Sequence, residues 1–368
     1  MSIKNRDIMD FLEEMAPKAL AEDWDNVGLL LGSADRDADN VLICLDVTER
    51  VVDEAVRKKV HLIISHHPFI FKGMKGINED DNKGRVIYKL IKNDISVYAA
   101  HTNLDVAEGG INEHLCSLLG LKSVENLKEY KSEKLYKLVV FVPEDRTEAV
   151  RNAMCVAGAG WIGNYSDCSF ITGGTGTFKP RRGTKPYIGT EDKLEHVNEC
   201  RIETIVPQNK LSTVLDSMIK AHPYEEAAYD IYPLELAGKR YGLGKAGTLE
   251  VPCDLNTFIR NVKNVLAMEN VRLIGRIDKK IKKAAVFCGS FDEDLSCLAR
   301  QDIDVLVTGD VKYHTAVDII SAGLCVIDAG HFNTEKIVVP MLVKSLSERF
   351  PEISVFGSGV EEEPFKIT

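Results

Sequence analysis

His61-Leu62-Ile63-Ile64-Ser65-His66-His67-Pro68 is a strand-like apolar run that ends on two histidines and a proline. Two more stretches have the same form. Ser96-Val97-Tyr98-Ala99-Ala100 leads into His101-Thr102-Asn103-Leu104-Asp105, and Leu324-Cys325-Val326-Ile327 precedes His331-Phe332-Asn333-Thr334-Glu335. In open α/β sheets, ligands bind just beyond the carboxyl ends of the strands. If these strands share one sheet, three imidazole-bearing loops and two carboxylates converge, which is more ligand capacity than one metal ion needs.

Working outward, the flanking segments alternate between strand and helix patterns. Val41–Leu45 is a short apolar run, Glu49–Lys59 reads as a helix, Lys83–Asn93 as another and Ile111–Leu119 as a third. The last part repeats the grammar with strands at Lys283–Cys288 and Asp304–Val307. Helix patterns there cover Asp292–Arg300 and His314–Ser321, and Glu335–Arg349 closes the chain as an amphipathic helix. Strands separated by helices imply a mostly parallel sheet covered by helices, a three-layer α/β/α domain. Between these parts a βαβ unit appears twice. Strand Leu138–Val142 precedes helix Arg146–Ala157, and strand Arg201–Val206 precedes helix Lys210–Ala221, followed by strand Ala227–Tyr232. This doubling predicts a ferredoxin-like α+β domain over 131–236, inserted between the halves 1–130 and 237–368 of the α/β domain. A linear string of three domains is the alternative, and it would split the histidine motifs between domains.

Composition sets outer bounds. At 368 residues the chain is long enough for two or three domains, and 45% hydrophobic with 28% charged residues describes a globular protein. The net charge of −10 argues against a general nucleic-acid surface. Nine scattered cysteines without C-x-x-C spacing suggest reduced thiols in a cytoplasmic protein. Residues 1–20 read as an amphipathic first helix rather than a signal peptide, and no run reaches the length of a membrane span.

His331 and Glu335 lie four apart at a helix start and so share a face; His101 and Asp105 have the same spacing. Neighbouring side chains diverge on extended backbone, so His66 and His67 suit two different ions, with Glu335 as a candidate bridge across about 3.5–4 Å. A lone histidine beside an apolar strand is usually packed or hydrogen-bonded, but three such pieces together point to a metal site. Imidazole and carboxylate without thiolate suit zinc, iron, manganese or cobalt. Asp46 and Thr48, and Asp310, Lys312 and His314, also follow strands; they are either ligand orienters and substrate contacts or caps and solvated loop residues. Gly158–Gly163 matches G-x-G-x-x-G but lacks the strand-turn-helix context of a dinucleotide site. The run Gly173–Gly183, with its threonines and cations, reads as an anion cradle or as a mobile surface hairpin.

Taken in order, Asp23-Trp24-Asp25-Asn26-Val27-Gly28, Ser65-His66-His67-Pro68, His101-Thr102-Asn103-Leu104-Asp105, Thr308-Gly309-Asp310-Val311-Lys312-Tyr313-His314 and Gly330-His331-x-x-x-Glu335 resemble the GTP cyclohydrolase 1 type 2 family, also called Ngg-interacting-factor-3-like dinuclear-metal hexameric proteins. Gly174-Thr175-Gly176-Thr177-Phe178-Lys179-Pro180 and Ala221-His222-Pro223-Tyr224-Glu225-Glu226 resemble the insert of longer members. The resemblance implies two divalent ions (zinc, iron or manganese) held by His66, His67, Asp105, His331 and Glu335, with His101 as a ligand or beside them. It also implies a toroidal homohexamer, a PII-like or CutA-like insert, and opening of the GTP purine ring to formate and dihydroneopterin triphosphate. Two functions follow. One is a metal-dependent hydrolase of a nucleotide-type small molecule, with His101 or His314 shuttling a proton and Arg181, Arg182 or Lys185 steering phosphate. The other is a non-catalytic, cytoplasmic metal-binding oligomer that regulates or interacts.

Overall fold

The computed structural model of the chain describes residues 2–278, 280–291 and 295–366. These fall into two units, Met1–Tyr130 with Tyr241–Thr368, and Lys131–Arg240. The first opens on α1 (Asn5–Met15), β1 (Gly28–Leu31), β2 (Asn40–Cys44), α2 (Glu49–Arg57), β3 (Leu62–Ser65), α3 (Asn82–Lys92) and β4 (Ser96–Ala99). Two short helices, α4 (Thr102–Val106) and α5 (Ile111–Leu118), lead to β5 (Leu121–Pro143), which carries the chain into the second unit. There α6 (Thr147–Val156), β6 (Ser169–Phe178), β7 (Glu195–Pro207) and α7 (Leu211–Ala221) precede β8 (Tyr229–Cys253), which carries it back. The first unit then resumes with α8 (Leu255–Val265), β9 (Arg272–Ile274), β10 (Ile281–Ser290), α9 (Ser296–Arg300), β11 (Val305–Gly309) and α10 (Tyr313–Ser321). It closes with β12 (Val326–Asp328), α11 (His331–Glu335), α12 (Val338–Arg349) and β13 (Ser354–Gly357). The first three residues of the helix expected over Asp292–Arg300 lie outside the described residues.

The strands beneath the three histidine loops do not share one sheet. In the first unit one sheet runs β1–β4–β3–β2–β13 and the other β5–β8–β10–β11–β12–β9. The single-sheet, three-layer expectation is corrected on this point, and the reason is edge pairing. β1 closes one side of the first sheet antiparallel to β4, and β13 closes the other parallel to β2. β10, β11 and β12 therefore pair with one another in parallel, and β8 joins β10 antiparallel.

Both faces of each sheet are covered. Val41, Ile43, Leu62 and Ile64 of the first sheet and Ala284, Val286, Val305 and Val307 of the second share one core with Leu104, Leu115, Phe258 and Leu342 from the intervening helices. The alternate residues Leu42, Cys44, Ile63 and Val97 pack under Val51 of α2 and Leu90 of α3. On the second sheet, Ala285, Leu306 and Val326 pack with Leu298 and Ile319. This two-sided burial is why the strands read as continuous apolar runs. Side-chain caps start the outer helices where the apolar period begins: Thr48 accepts from Val51 N at α2, and Asp81 accepts from Gly84 N at α3.

In the second unit the strand order is β6–β7–β5–β8, with β5 and β6 both antiparallel to β7. Leu138, Val140, Val142, Ile202 and Val206 face Val150 and Met154 of α6 and Val214 and Met218 of α7. The glycine-rich run is not a free hairpin: through Phe178 it is strand β6, paired to β7 along its length.

Candidate metal centre

Each histidine of the cluster sits where a strand or its following turn ends, and each is fixed by local hydrogen bonds. After β3, Ser65 Oγ donates to His67 O at 2.8 Å. His101 N donates to Asn103 Oδ1 at 2.9 Å, and Asn103 Nδ2 donates to Ala16 O at 2.6 Å, so α4 is anchored to the end of α1. α11 starts at Gly330, whose φ of +80° suits glycine. Asp328, buried at the end of β12, accepts from Gly330 N at 2.9 Å and Val311 N at 3.0 Å and pairs with Arg272, holding the two loops beside α11. Asn112 of α5 joins the sheets' contributions. Its Nδ2 donates to Asp105 O at 3.0 Å and its Oδ1 accepts from Cys288 N at 2.9 Å.

All four imidazoles are held the same way, by an oxygen at Nδ1. His66 Nδ1 donates to Ala100 O at 2.9 Å, His67 Nδ1 to Asp46 Oδ1 at 3.0 Å, His101 Nδ1 to Asp25 Oδ1 at 3.0 Å and His331 Nδ1 to Asp310 Oδ2 at 2.8 Å. Such partners fix ring orientation and leave Nε2 as the ligating atom. The ligating atoms fall into two groups, each within 4.8 Å: His66, His67 and His101, and His67, His331 and Glu335. Glu335 addresses both. Its Oε2 lies 2.8 Å from His67 Nε2 and 2.9 Å from His331 Nε2, while Oε1 lies 3.9 Å from His66 Nε2. Asp105 Oδ1 is 3.6 Å from the same His66 nitrogen.

The donor set fits divalent ions. His66 Nε2 and Asp105 Oδ1 are buried polar atoms without a hydrogen-bond partner. Leaving such atoms unpaired is costly, and a cation satisfies both. Gly289, at φ +71°, backs the site, because a β-carbon there would run into Glu335 Oε1.

The electrostatics are those of a carboxylate among imidazoles. Burial alone would lift Glu335, but hydrogen bonds from His331 and His67 and the nearby charge of His66 hold it well below the ordinary carboxylate range. Burial would lower His67, yet Asp46 and Glu335 raise it to about 10. The Glu335 hydrogen bond raises His331 to about 9. Asp105 is pushed up by burial. A cleft of about 790 Å³ adjoins the cluster, lined by Asp46, His67, Asp310 and His331 together with Arg50, Lys83, Phe69 and Phe332.

His66, His67, His101, Asp105, His331 and Glu335 thus come together. Asp46 and Asp310 act as orienters of His67 and His331 rather than as caps. His314 is in neither ligand group: it is exposed on α10 with its ring against Tyr313. Helix α10 begins at Tyr313, after the turn through Asp310 (φ +53°), and it is Asp310 that reaches His331. Arg181, Arg182 and Lys185 belong to the second unit, where Arg181 is paired with Asp192 at 2.8 Å. The roles of Asp25 and Asn112 do not follow from the sequence. The side chain of Asp25 is buried and also accepts from Thr102 N at 3.1 Å; it stands within the Asp23–Gly28 motif, where nothing local pairs it with His101.

Residues 3–364 match the model of the family described as Duf34/NIF3 (NGG1p interacting factor 3). A Halalkalibacterium halodurans protein named GTP cyclohydrolase 1 type 2 homolog is 44% identical over 99% of both chains. A Bacillus subtilis protein of the same name is 43% identical over 99% of this chain and 98% of its own. The crystal structure of a Bacillus cereus protein related to NIF3 is 42% identical and superposes with a TM-score of 0.92 over all of both chains.

Proposed function

The chain belongs to the Duf34/NIF3 (NGG1p interacting factor 3) family, and from that premise we propose that it is a metal-dependent hydrolase of a nucleotide-type substrate with two divalent ions at the histidine cluster. The observation that carries this reading is Glu335, whose two carboxylate oxygens face two different sets of imidazoles. His66, His101 and Asp105 would hold one ion, His67 and His331 the other, and Glu335 both. Divalent ions so placed supply Lewis acidity, polarising a substrate oxygen and making water a usable nucleophile near neutral pH.

The chain's own residues do the rest. Asp25, Asp46 and Asp310 keep three rings aimed at the cluster. Lys83 borders the adjoining cleft, where it would meet a phosphate; Arg50, also there, is paired with Glu362 at 3.1 Å, and Phe69 and Phe332 offer apolar surface for a base. The name carried by the relatives makes GTP the first substrate to test. The protein should be loaded with zinc, manganese or ferrous iron and assayed for formate release beside Glu335→Ala. Turnover lost in the variant together with bound metal supports the assignment; turnover that survives Glu335→Ala removes it.

The second reading is a non-catalytic, metal-binding oligomeric regulator, and the second unit favours it. Two βαβ units whose strands lie in the order β6–β7–β5–β8 are what a ferredoxin-like, PII- or CutA-like sensing module would require. Metal binding without turnover of any nucleotide would select this reading. A homohexamer in the cytoplasm is part of both proposals, and sedimentation tests the assembly. No helix among the described residues is long and apolar enough to cross a membrane.

A further inference from the structure

Two motifs that the metal centre does not use, Gly174–Pro180 and Ala221–Glu226, converge on a cleft of about 380 Å³ in the second unit. We propose that this cleft is a binding site for a small organic cation carrying an amine or guanidinium group. Its walls are aromatic. Tyr224 lies 5.7 Å from Phe178 and 6.2 Å from Tyr187, centroid to centroid, with the rings tilted by 60° and 52°. A cation seated over the face of a tyrosine or phenylalanine ring is attracted by the ring's quadrupole. Arg146 already lies over Tyr187, 6.0 Å from its centroid.

The charge balance selects a cation over an anion. Glu199, Glu225 and Glu226 line the cleft against Lys179 and Arg181, and Arg181 is neutralised by Asp192. The anion that the glycine run was read as cradling is supplied by the chain itself. The Glu199 carboxylate sits against Gly176, where a β-carbon would collide with it. An incoming phosphate would face that carboxylate, whereas an incoming ammonium is stabilised by it.

The site is also built in advance. Tyr224 OH donates to Glu199 Oε1 at 2.9 Å, and Tyr224 N donates to His222 Nδ1 at 3.1 Å. His222 Nε2 in turn donates to Phe141 O at 2.9 Å. That relay fixes one neutral imidazole tautomer and ties the ring, the carboxylate and β5 together. A ligand therefore pays little ordering cost at Tyr224.

The test is calorimetric titration of the full-length, metal-loaded protein with agmatine and with butylamine, which is protonated at neutral pH. Saturable binding of either with a Kd below about 1 mM is expected. It should weaken about tenfold or more in Tyr187→Ala and in Glu199→Gln, and be retained in Tyr187→Phe, which keeps the ring. Tyr187 is exposed, so its loss leaves the core intact. No saturable binding of either cation, or equal binding by Tyr187→Ala and the parent protein, overturns the proposal. So does GMP or inorganic phosphate binding that Tyr187→Ala abolishes, since the cleft would then be an anion site. None of these outcomes depends on the hydrolase reading, which stands or falls at Glu335.

Discussion

Asp46→Ala separates a residue that aims a ligand from one that supplies it. Asp46 touches the cluster only through His67 Nδ1, at 3.0 Å, and its side chain is 57% exposed. The core should not notice the change, and the thermal midpoint should move little. Metal affinity should. Removing the carboxylate behind a metal-binding histidine typically costs 10–100-fold, about 1.4–2.7 kcal/mol. The lower end is expected here, because two effects oppose. The His67 ring loses its anchor, but Asp46 is also one of the two carboxylates that raise His67 to about 10. Without it the proton competing with the ion is held less tightly. We therefore expect about a tenfold loss, confined to the ion that His67, His331 and Glu335 would share under the proposed two-ion arrangement. Asp46→Asn, which keeps an acceptor without the charge, should lose less. Competition with a chelating fluorophore, calibrated by elemental analysis, reads the two ions separately. If both weaken equally, or if Asp46→Ala binds both as the parent protein does, the claim that Asp46 acts by orienting His67 is refuted.

Three further outcomes follow from the same geometry. His67 at about 10 and His331 at about 9 lie above the ordinary imidazole value near 6.5. Their pairing therefore stabilises the metal-free protein fully below pH 6.5 or so and is lost as pH rises through 9 to 10. Glu335 is depressed, so its share is present above its unfolded value and lost in acid. Thermal midpoints of chelator-treated protein should fall on both flanks, and zinc binding at pH 7 should release protons, measured by calorimetry in buffers of different ionisation enthalpy. Gly289→Ala forces a side chain into φ +71° and into Glu335 Oε1; about 1 kcal/mol of backbone strain should accompany a larger, separately measured loss of bound metal. Asn112→Ala leaves Cys288 N without its acceptor and takes a donor from Asp105 O, at about 1–3 kcal/mol per buried group, which denaturant unfolding will register.

The histidine motifs were legible because residues of metal-ligand type and apolar strands are local signals. His66, His101 and His331 announce themselves by residue type at the ends of period-two or continuous apolar runs, and Glu335 by its spacing from His331. Sheet partnership is not local. Nothing within Val41–Leu45 says that Ser354–Gly357, more than three hundred residues later, will take its free edge. Nothing within Lys283–Cys288 says that it will pair with the end of β8 instead. Asp25 was illegible for a related reason. An acid in a loop has an ordinary explanation as a cap, and only the fold brings it 3.0 Å from a histidine 76 residues away. The glycine run misled by composition: its freedom serves Glu199, which lies on the neighbouring strand β7 rather than within the motif.

That the two histidine-bearing sheets are separate changes what holds the centre together. With one sheet, strand hydrogen bonds would set the spacing between His66 and His331. With two, the spacing is set by the apolar helices between them, Leu104, Leu115 and Leu342 among others, and by the few polar ties that cross, notably Asn112. Each fully buried leucine contributes about 1.5–3 kcal/mol, so the packing exists whether or not an ion is bound. The imidazoles are likewise aimed by oxygens of the protein. His66 Nε2 and Asp105 Oδ1, buried without a hydrogen-bond partner, are where an ion would satisfy most. Side chains held by the fold lose less entropy on binding a ligand. The free energy of ion binding then goes into affinity rather than into folding the site.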